Sequence, residues 1–129
     1  MRNSNQLERR TFTRFNIQIP LNLSLPKSTT KETETFKATS INVSMNGIYC
    51  TVNRYVPLFD KLLITFVSPK HDGIPALVVS RFEGIVVRVE PGQEEAGRAE
   101  YNIALFFQHL SPQQRAVLHR MITSHTAIA

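Results

Sequence analysis

Three arginine residues near the start of the chain have the chemistry needed to bind phosphate. Arg9, Arg10 and Arg14 bring three guanidinium groups into six residues. Each guanidinium is a planar fork of N–H donors that binds phosphate through two parallel hydrogen bonds and also stacks on an aromatic base. In an extended strand Arg10 and Arg14 would lie roughly 13 Å apart on one face. A ligand with both phosphate and purine could use all of these groups. The alternative is a basic segment that contacts only solvent.

A second polar stretch lies farther along the chain, within Ile41–Ile48. We interpret it as the end of one strand, a turn and the start of the next strand. Asn42 and Ser44 would point to the same side of an extended chain because they are two residues apart. Gly47 suits either a turn position with positive φ or a place where a ligand approaches the backbone. The alternative is an ordinary hairpin whose polar residues only form the turn.

Together, in this order and at this separation, the two stretches resemble the PilZ domain family of bacterial cyclic di-GMP receptors. The family pattern RxxxR is matched by Arg10 and Arg14, and the pattern (D/N)xSxxG is matched by Asn42, Ser44 and Gly47.

The resemblance continues into the C-terminal part of the chain. It includes Gly84–Val89, Tyr101–Phe107 and a closing helix, and so covers residues 7–125. The chain departs from the family pattern at Ala104, where the family often has glycine in its last strand. A methyl group there could crowd a ligand if that strand lines the site.

The resemblance implies a binding module for cyclic di-GMP that is not an enzyme and needs no cofactor. The implied ligand-binding residues are Arg9, Arg10, Arg14, Asn42, Ser44 and Gly47. Arg10 and Arg14 would clamp phosphate and base, Asn42 and Ser44 would bond guanine edges, and Gly47 would shape the turn.

The resemblance also suggests how many ligands bind and how the signal is passed on. Arg9 directly precedes the arginine motif, and an arginine there implies two stacked cyclic di-GMP molecules per chain. Their binding would order the arginine arm over the barrel and create a surface for a downstream protein partner. The alternative is an adaptor of the same fold that has lost nucleotide binding, although this chain retains the motif residues.

Composition narrows the other possibilities. The chain has 129 residues, which suits one domain, and its 15 Lys+Arg against 10 Asp+Glu favour an anionic partner. Cys50 is the only cysteine, so no intramolecular disulfide forms, which fits a reducing compartment. Neither a signal peptide nor an apolar run long enough to span a membrane is visible, and we expect a cytoplasmic protein.

Motifs for other chemistry are missing from the sequence. We expect no metal site, because the four histidines form no HxxxH or HExxH pair and no Cys/His cluster exists. A nucleophile elbow and a Walker-type phosphate loop are absent too, which argues against an enzyme. A barrel that binds nucleic acid would expose aromatic residues on one strand face. Phe106 and Phe107 are adjacent, so one of them must point inward, which argues against nucleic-acid binding.

Alternation and turn residues predict the elements that position these groups. We expect a disordered tail at 1–6, a PilZ-like domain at 7–125 and a C-terminal tail at 126–129. Pro20 would place the first strand at an edge or an irregularity, and Gly84 would mark a bulge or bend. Ser111 and Gln114 form a capping box ahead of a helical apolar stripe. The predicted strands cover residues 17–25, 36–43, 48–52, 62–67, 76–90 and 101–107. The fold class is all-β, with about six antiparallel strands in a small closed β-barrel and a C-terminal α-helix flanking it.

Overall fold

The computed structural model describes residues 13–25, 35–67 and 78–127. The predicted tail at 1–6 lies outside these residues. The elements are β1 (Pro20–Ser24), β2 (Thr35–Val43), β3 (Gly47–Val52), β4 (Lys61–Val67), β5 (Val78–Glu90), β6 (Tyr101–Gln108) and α1 (Pro112–Ala127). The predicted six strands and the C-terminal helix are confirmed.

The six strands form a closed antiparallel barrel in the order β1-β2-β3-β6-β5-β4, and β4 returns to β1. Closure gives β1 a neighbour on each side, so Pro20 does not lie on an edge strand. Pro20 is instead the first residue of β1. A proline is tolerated at the first position of a strand because its missing N–H interrupts the fewest ladder bonds there.

The predicted first strand begins three residues too early, because a side chain replaces the ladder before Pro20. The hydroxyl of buried Ser40 accepts a hydrogen bond from the Ile19 N–H at 2.8 Å and donates one to the Ile17 carbonyl. The Ser40 N–H also donates to the Ile19 carbonyl at 3.0 Å. Ile17 and Ile19 keep the alternating burial that the sequence predicted. The backbone is extended there without forming a regular strand.

The barrel interior is filled by apolar side chains that alternate with outward polar ones. Phe82 contacts both Phe66 and Phe107 edge to face, with ring centroids 5.2 and 5.3 Å apart. Phe107 therefore packs on the core, while the neighbouring Phe106 is 50% exposed. This confirms that only one of the two adjacent phenylalanines points inward. Burying a side chain of this kind stabilises the fold by about 1.5–3 kcal/mol.

Helix α1 flanks the barrel and is fixed at its start. The predicted capping box is present: the Gln114 N–H donates to Ser111 Oγ at 3.0 Å, and the Ser111 N–H donates to Gln114 Oε1 at 2.8 Å. The Gln114 amide also donates to the Arg81 carbonyl of β5 at 2.8 Å. Leu118, with two further buried residues of the helix, packs into the core.

Strand β5 contains a bulge, but not at the predicted position. The pairing runs regularly through Gly84, which lies opposite Leu62 on one side and Phe107 on the other. On the β6 side the register shifts between Val86 and Arg88. The prediction of a bulge at Gly84 is therefore wrong. The glycine avoids crowding instead, because a Cβ there would lie 2.7 Å from Ile64 Cδ1 and that side-chain end would have to shift.

Candidate functional site

A cleft of about 240 Å³ opens on the outer surface, where the turn between β2 and β3 meets β5 and β6. It brings together four of the six predicted ligand-binding residues. The other two, Arg9 and Arg10, lie outside the described residues. The lining consists of Arg14, Asn42, Ser44, Asn46, Gly47, Ile48, Tyr49, Arg88, Ala104, Leu105 and Phe106.

Backbone pairing brings Arg14 to the cleft. The next residue, Phe15, forms an isolated antiparallel bridge with Val43 at the end of β2. Phe15 and Val43 exchange two backbone hydrogen bonds of 2.8 and 2.9 Å. Arg14 is thereby held beside the strand that carries Asn42, although the two motifs are far apart in sequence. Its side chain is exposed, so its donors are accessible to a ligand.

The turn between β2 and β3 is held together by the Ser44 hydroxyl. Ser44 Oγ accepts from the Asn46 N–H at 3.2 Å and donates to the Asn46 side-chain oxygen. The Ser44 N–H donates to the Gly47 carbonyl at 2.9 Å, and the Phe107 N–H donates to the Asn46 carbonyl at 2.9 Å. Ser44 is buried at 3% exposure. Its hydroxyl therefore shapes the turn, and the Asn46 carbonyl fixes the turn to β6.

Gly47 is required for close packing, and its backbone is not in the left-handed region. Among the described glycines, the one with positive φ is Gly97. The interpretation of Gly47 as a positive-φ turn residue is therefore wrong. A Cβ on Gly47 would lie 2.2 Å from the Leu105 carbonyl oxygen, which is a steric overlap with the β6 backbone. Glycine at this position allows β3 to begin directly against β6.

One row of outward side chains crosses four strands beside the cleft. Asn42 of β2 lies opposite Tyr49 of β3, which lies opposite Ala104 of β6, which lies opposite Arg88 of β5. Neighbouring strands are about 4.8 Å apart, so the row spans roughly 14 Å. Ala104 is the smallest member and lies in the middle. The strand that carries Ala104 lines the cleft. The Ala104 methyl group is therefore placed where we expected it to crowd a ligand.

A carboxylate connects two members of this row. The Tyr49 hydroxyl donates to Glu90 Oε1, and Arg88 Nη1 donates to Glu90 Oε2 at 3.3 Å. The hydrogen bond from Tyr49 and the Arg88 guanidinium hold the pKa of the Glu90 carboxyl below its ordinary value. The same hydrogen bond raises the pKa of Tyr49. Both groups therefore keep their usual charge at neutral pH.

The described lining of the cleft is cationic. Its charged members are Arg14 and Arg88, and none of the described lining residues is acidic. This favours an anionic ligand. No group of three or more His, Cys, Asp or Glu in the described part of the chain could hold a metal ion.

Sequence reasoning missed several members of the lining. Asn46 belongs to the same turn as Ser44 and could have been found there. Tyr49 and Arg88 lie on different strands, and only the register of pairing across β6 brings them together. Tyr49 lies between two buried neighbours, as alternation predicts, whereas Arg88 follows two consecutive valines that break the alternation. Their proximity was not visible, because it depends on the bulge in β5.

Comparison with known proteins identifies the family. The profile of the PilZ domain matches residues 8–124. A search of curated protein sequences found no significant match. The described residues include no helix with the length and apolar character needed to cross a bilayer.

Three solved structures share the fold. The Bacillus subtilis inhibitor of motility, MotI/DgrA, aligns with a TM-score of 0.63 at 13% identity over 93% of this chain and 52% of its own. This chain thus spans about half the length of that protein. The PilZ domain of YcgR from Escherichia coli with c-di-GMP gives 0.59 at 15% identity, covering 93% of each chain. The PilZ domain of CeSA from a cellulose-synthesizing bacterium gives 0.54 at 13% identity over 87% of this chain and 96% of its own.

Proposed function

Because the chain belongs to the PilZ domain family, we propose that it is a bacterial receptor for cyclic di-GMP that passes the signal to a protein partner. The ligand carries two phosphates and two guanines, and arginine can bind either group through its planar fork. A cytoplasmic location, which the sequence analysis predicts, is part of the same proposal. The YcgR PilZ domain with c-di-GMP supports the choice of ligand by its likeness in fold.

The placement of Arg14 beside Asn42 is the observation that carries this proposal. Both line one cleft, although they belong to separate motifs. The exposed Arg14 would bind a phosphate. The Asn42 amide has both a donor and an acceptor and so matches the edge of a guanine. Ser44 and Gly47 would contribute mainly by shaping the turn, since the Ser44 hydroxyl already bonds Asn46 and Gly47 packs on β6.

Arg9 and Arg10 would complete the site. The cleft, at about 240 Å³, is smaller than the roughly 300–1,000 Å³ typical of ligand pockets. A ligand with two bases therefore needs a further wall, which we assign to the N-terminal arginine segment. Arg9 would offset charge repulsion between two stacked ligands. Fixing this segment over the barrel would create the surface that a partner protein reads.

Calorimetric titration with cyclic di-GMP, GTP and a short oligonucleotide at two salt concentrations tests the proposal. We expect cyclic di-GMP to bind and the other two to bind far more weakly. Arg14→Ala and Arg10→Ala should each weaken binding roughly ten- to a hundredfold, because a hydrogen bond to a charged group contributes about 1.5–3 kcal/mol. The melting temperature of Arg14→Ala should be unchanged, since Arg14 is exposed.

Arg98→Ala is the matched control, because Arg98 is an exposed arginine that pairs with Glu95 away from the cleft. It should bind like the unmodified chain. Unchanged affinity in both Arg10→Ala and Arg14→Ala would show that the assigned site is wrong. A chain that binds none of the three ligands would favour the adaptor, and preference for the oligonucleotide would favour a nucleic-acid function.

A further inference from the structure

Arg88 is a second described arginine on the cleft, and it belongs to neither sequence motif. It lies on β5, at the opposite end of the cross-strand row from Asn42. Arg14 approaches the cleft beside β2 through the Phe15–Val43 bridge. The two guanidinium groups therefore border the cleft from its two sides. A ligand with two phosphate charges could engage one arginine with each phosphate.

The surroundings of Arg88 hold its side chain in place and leave donors available. Glu90 takes one donor, Nη1, at 3.3 Å, and a guanidinium has five N–H donors. The Glu90 carboxylate is held in turn by the Tyr49 hydroxyl from β3. The Arg88 side chain is 59% exposed. The Arg88 guanidinium is thus restrained by Glu90 at Nη1, while its other N–H donors are accessible to a ligand.

The strand between these groups leaves space for a ligand. Tyr49 and Arg88 both lie opposite Ala104 of β6, and all three residues line the cleft. A large side chain at position 104 would fill the gap between the tyrosine and the arginine. The Ala104 methyl group takes up only part of that gap, and the cleft stays open beside it. The β5 bulge, which shifts the register between Val86 and Arg88, places the arginine in this row.

We propose that Arg88 is a further ligand-binding residue, which binds a phosphate of the nucleotide from the β5 side and is positioned by Glu90 and Tyr49. This inference rests on the proposed function and adds a residue to the same site. Two walls would then share the ligand. The N-terminal arginines would form the first wall, and the barrel itself would form the second.

Titration of cyclic di-GMP into three variants tests this role. Arg88→Ala should weaken binding by about tenfold, which corresponds to one charge-assisted hydrogen bond, and should make the affinity less sensitive to salt. Arg88→Lys should recover part of the loss, because it keeps the charge without the fork. Arg98→Ala removes an arginine with a similar exposed ion pair, 45% exposed, and should have no effect.

Glu90→Gln separates direct binding from a structural role. The amide oxygen can still accept a hydrogen bond from Arg88, so Glu90→Gln should weaken binding by clearly less than Arg88→Ala does. If Arg88 acted only by holding Glu90, Arg88→Ala and Glu90→Gln would lose affinity equally, and the inference would fail. Unchanged affinity in Arg88→Ala, with Arg14→Ala impaired, would overturn this inference alone. Absence of binding in the unmodified chain would overturn the proposed function with it.

Discussion

At the scale of single residues, the polar turn contains groups with different roles. Asn42 is half-buried at the cleft, while Ser44 is buried and bonded within the turn. Gly47 contacts the β6 backbone. The family pattern groups these positions together, but their contributions to binding and stability should differ.

Three substitutions in the turn should therefore separate binding from stability. Asn42→Ala should weaken cyclic di-GMP binding and leave the melting temperature unchanged within about 2 °C. Ser44→Ala removes a buried hydrogen bond worth about 1 kcal/mol, so the melting temperature should fall by roughly 3–6 °C. Gly47→Val should cost at least about 2–3 kcal/mol, because its side chain overlaps a backbone carbonyl.

Thermal melts of the free variants, with calorimetry on those that remain folded, measure both effects. Equal thermal damage from all three substitutions would contradict the division of roles and favour a plain hairpin.

Cys50 provides a second test at this scale. Its side chain is 0% exposed, and burial raises the pKa of the thiol from 9.0 to about 12. The thiol should therefore not react with a thiol reagent at pH 9 in the folded chain, and should react promptly in denaturant. The pKa of the Cys50 thiol is higher in the folded chain than in the unfolded chain. The contribution of this thiol to the free energy of unfolding is therefore fully present below pH 9. It is lost as pH rises toward 12.

Labelling followed by mass spectrometry, with and without denaturant, measures this reactivity. Rapid modification of the folded chain at pH 9 would show that β3 opens locally or that Cys50 is accessible.

At the scale of elements, Gly84 of β5 lies close to a β4 side chain. A Cβ there would meet Ile64 Cδ1 at 2.7 Å and the Phe106 carbonyl oxygen at 3.3 Å. Gly84→Ala should destabilise the fold by about 1–3 kcal/mol through overpacking. Ile64→Val removes the atom that would be met, at a cost of about 0.5–1.5 kcal/mol when made alone.

A double-mutant cycle by urea denaturation checks this contact. The cost of Gly84→Ala should be smaller in the Ile64→Val background than in the unmodified chain. Strictly additive costs would mean that the Phe106 carbonyl, which cannot move as easily, is the limiting contact.

The strands were predictable because alternation is a local property of the chain. The burial of Ile17, Ile19, Leu21 and Leu23 follows the predicted pattern. The start of β1 was not predictable, because it depends on the Ser40 side chain of another strand. Similarly, Gly84 is a glycine for reasons that lie in β4. Sequence patterns locate an element, whereas its boundaries and small residues are determined by the elements packed against it.

At the scale of the whole molecule, some residues of the cleft could be predicted from the sequence and others could not. Asn42, Ser44 and Gly47 fall within one short motif, so the sequence could indicate them. Tyr49, Ala104 and Arg88 meet only after three strands pair in register. No local pattern joins them, and Arg88 therefore had no predicted role. One side of the cleft is therefore a motif that the sequence reveals, and the other side consists of residues that only strand pairing brings together.

Ligand stoichiometry is a property of the complete site. We predict two cyclic di-GMP molecules per chain, because Arg9 adds a third cation against the four phosphate charges of a stacked pair. Arg9→Leu should shift the ratio toward one while keeping measurable affinity. Arg2→Leu removes an arginine outside the motif and should leave the ratio unchanged.

Calorimetry with an independently measured active fraction gives this ratio. A value near one for the unmodified chain would contradict the prediction of two ligands without affecting the assigned cleft.

The closed barrel also limits how another protein can recognise this chain. In the described residues each of the six strands is paired on both sides, with β4 returning to β1. Recognition by β-augmentation needs an open strand edge whose backbone N–H and C=O groups are still available. Along these paired registers no such edge exists. We therefore expect a protein partner to contact side chains on the described barrel surface, its turns or α1, so its affinity should change on point substitution there while the backbone stays the same.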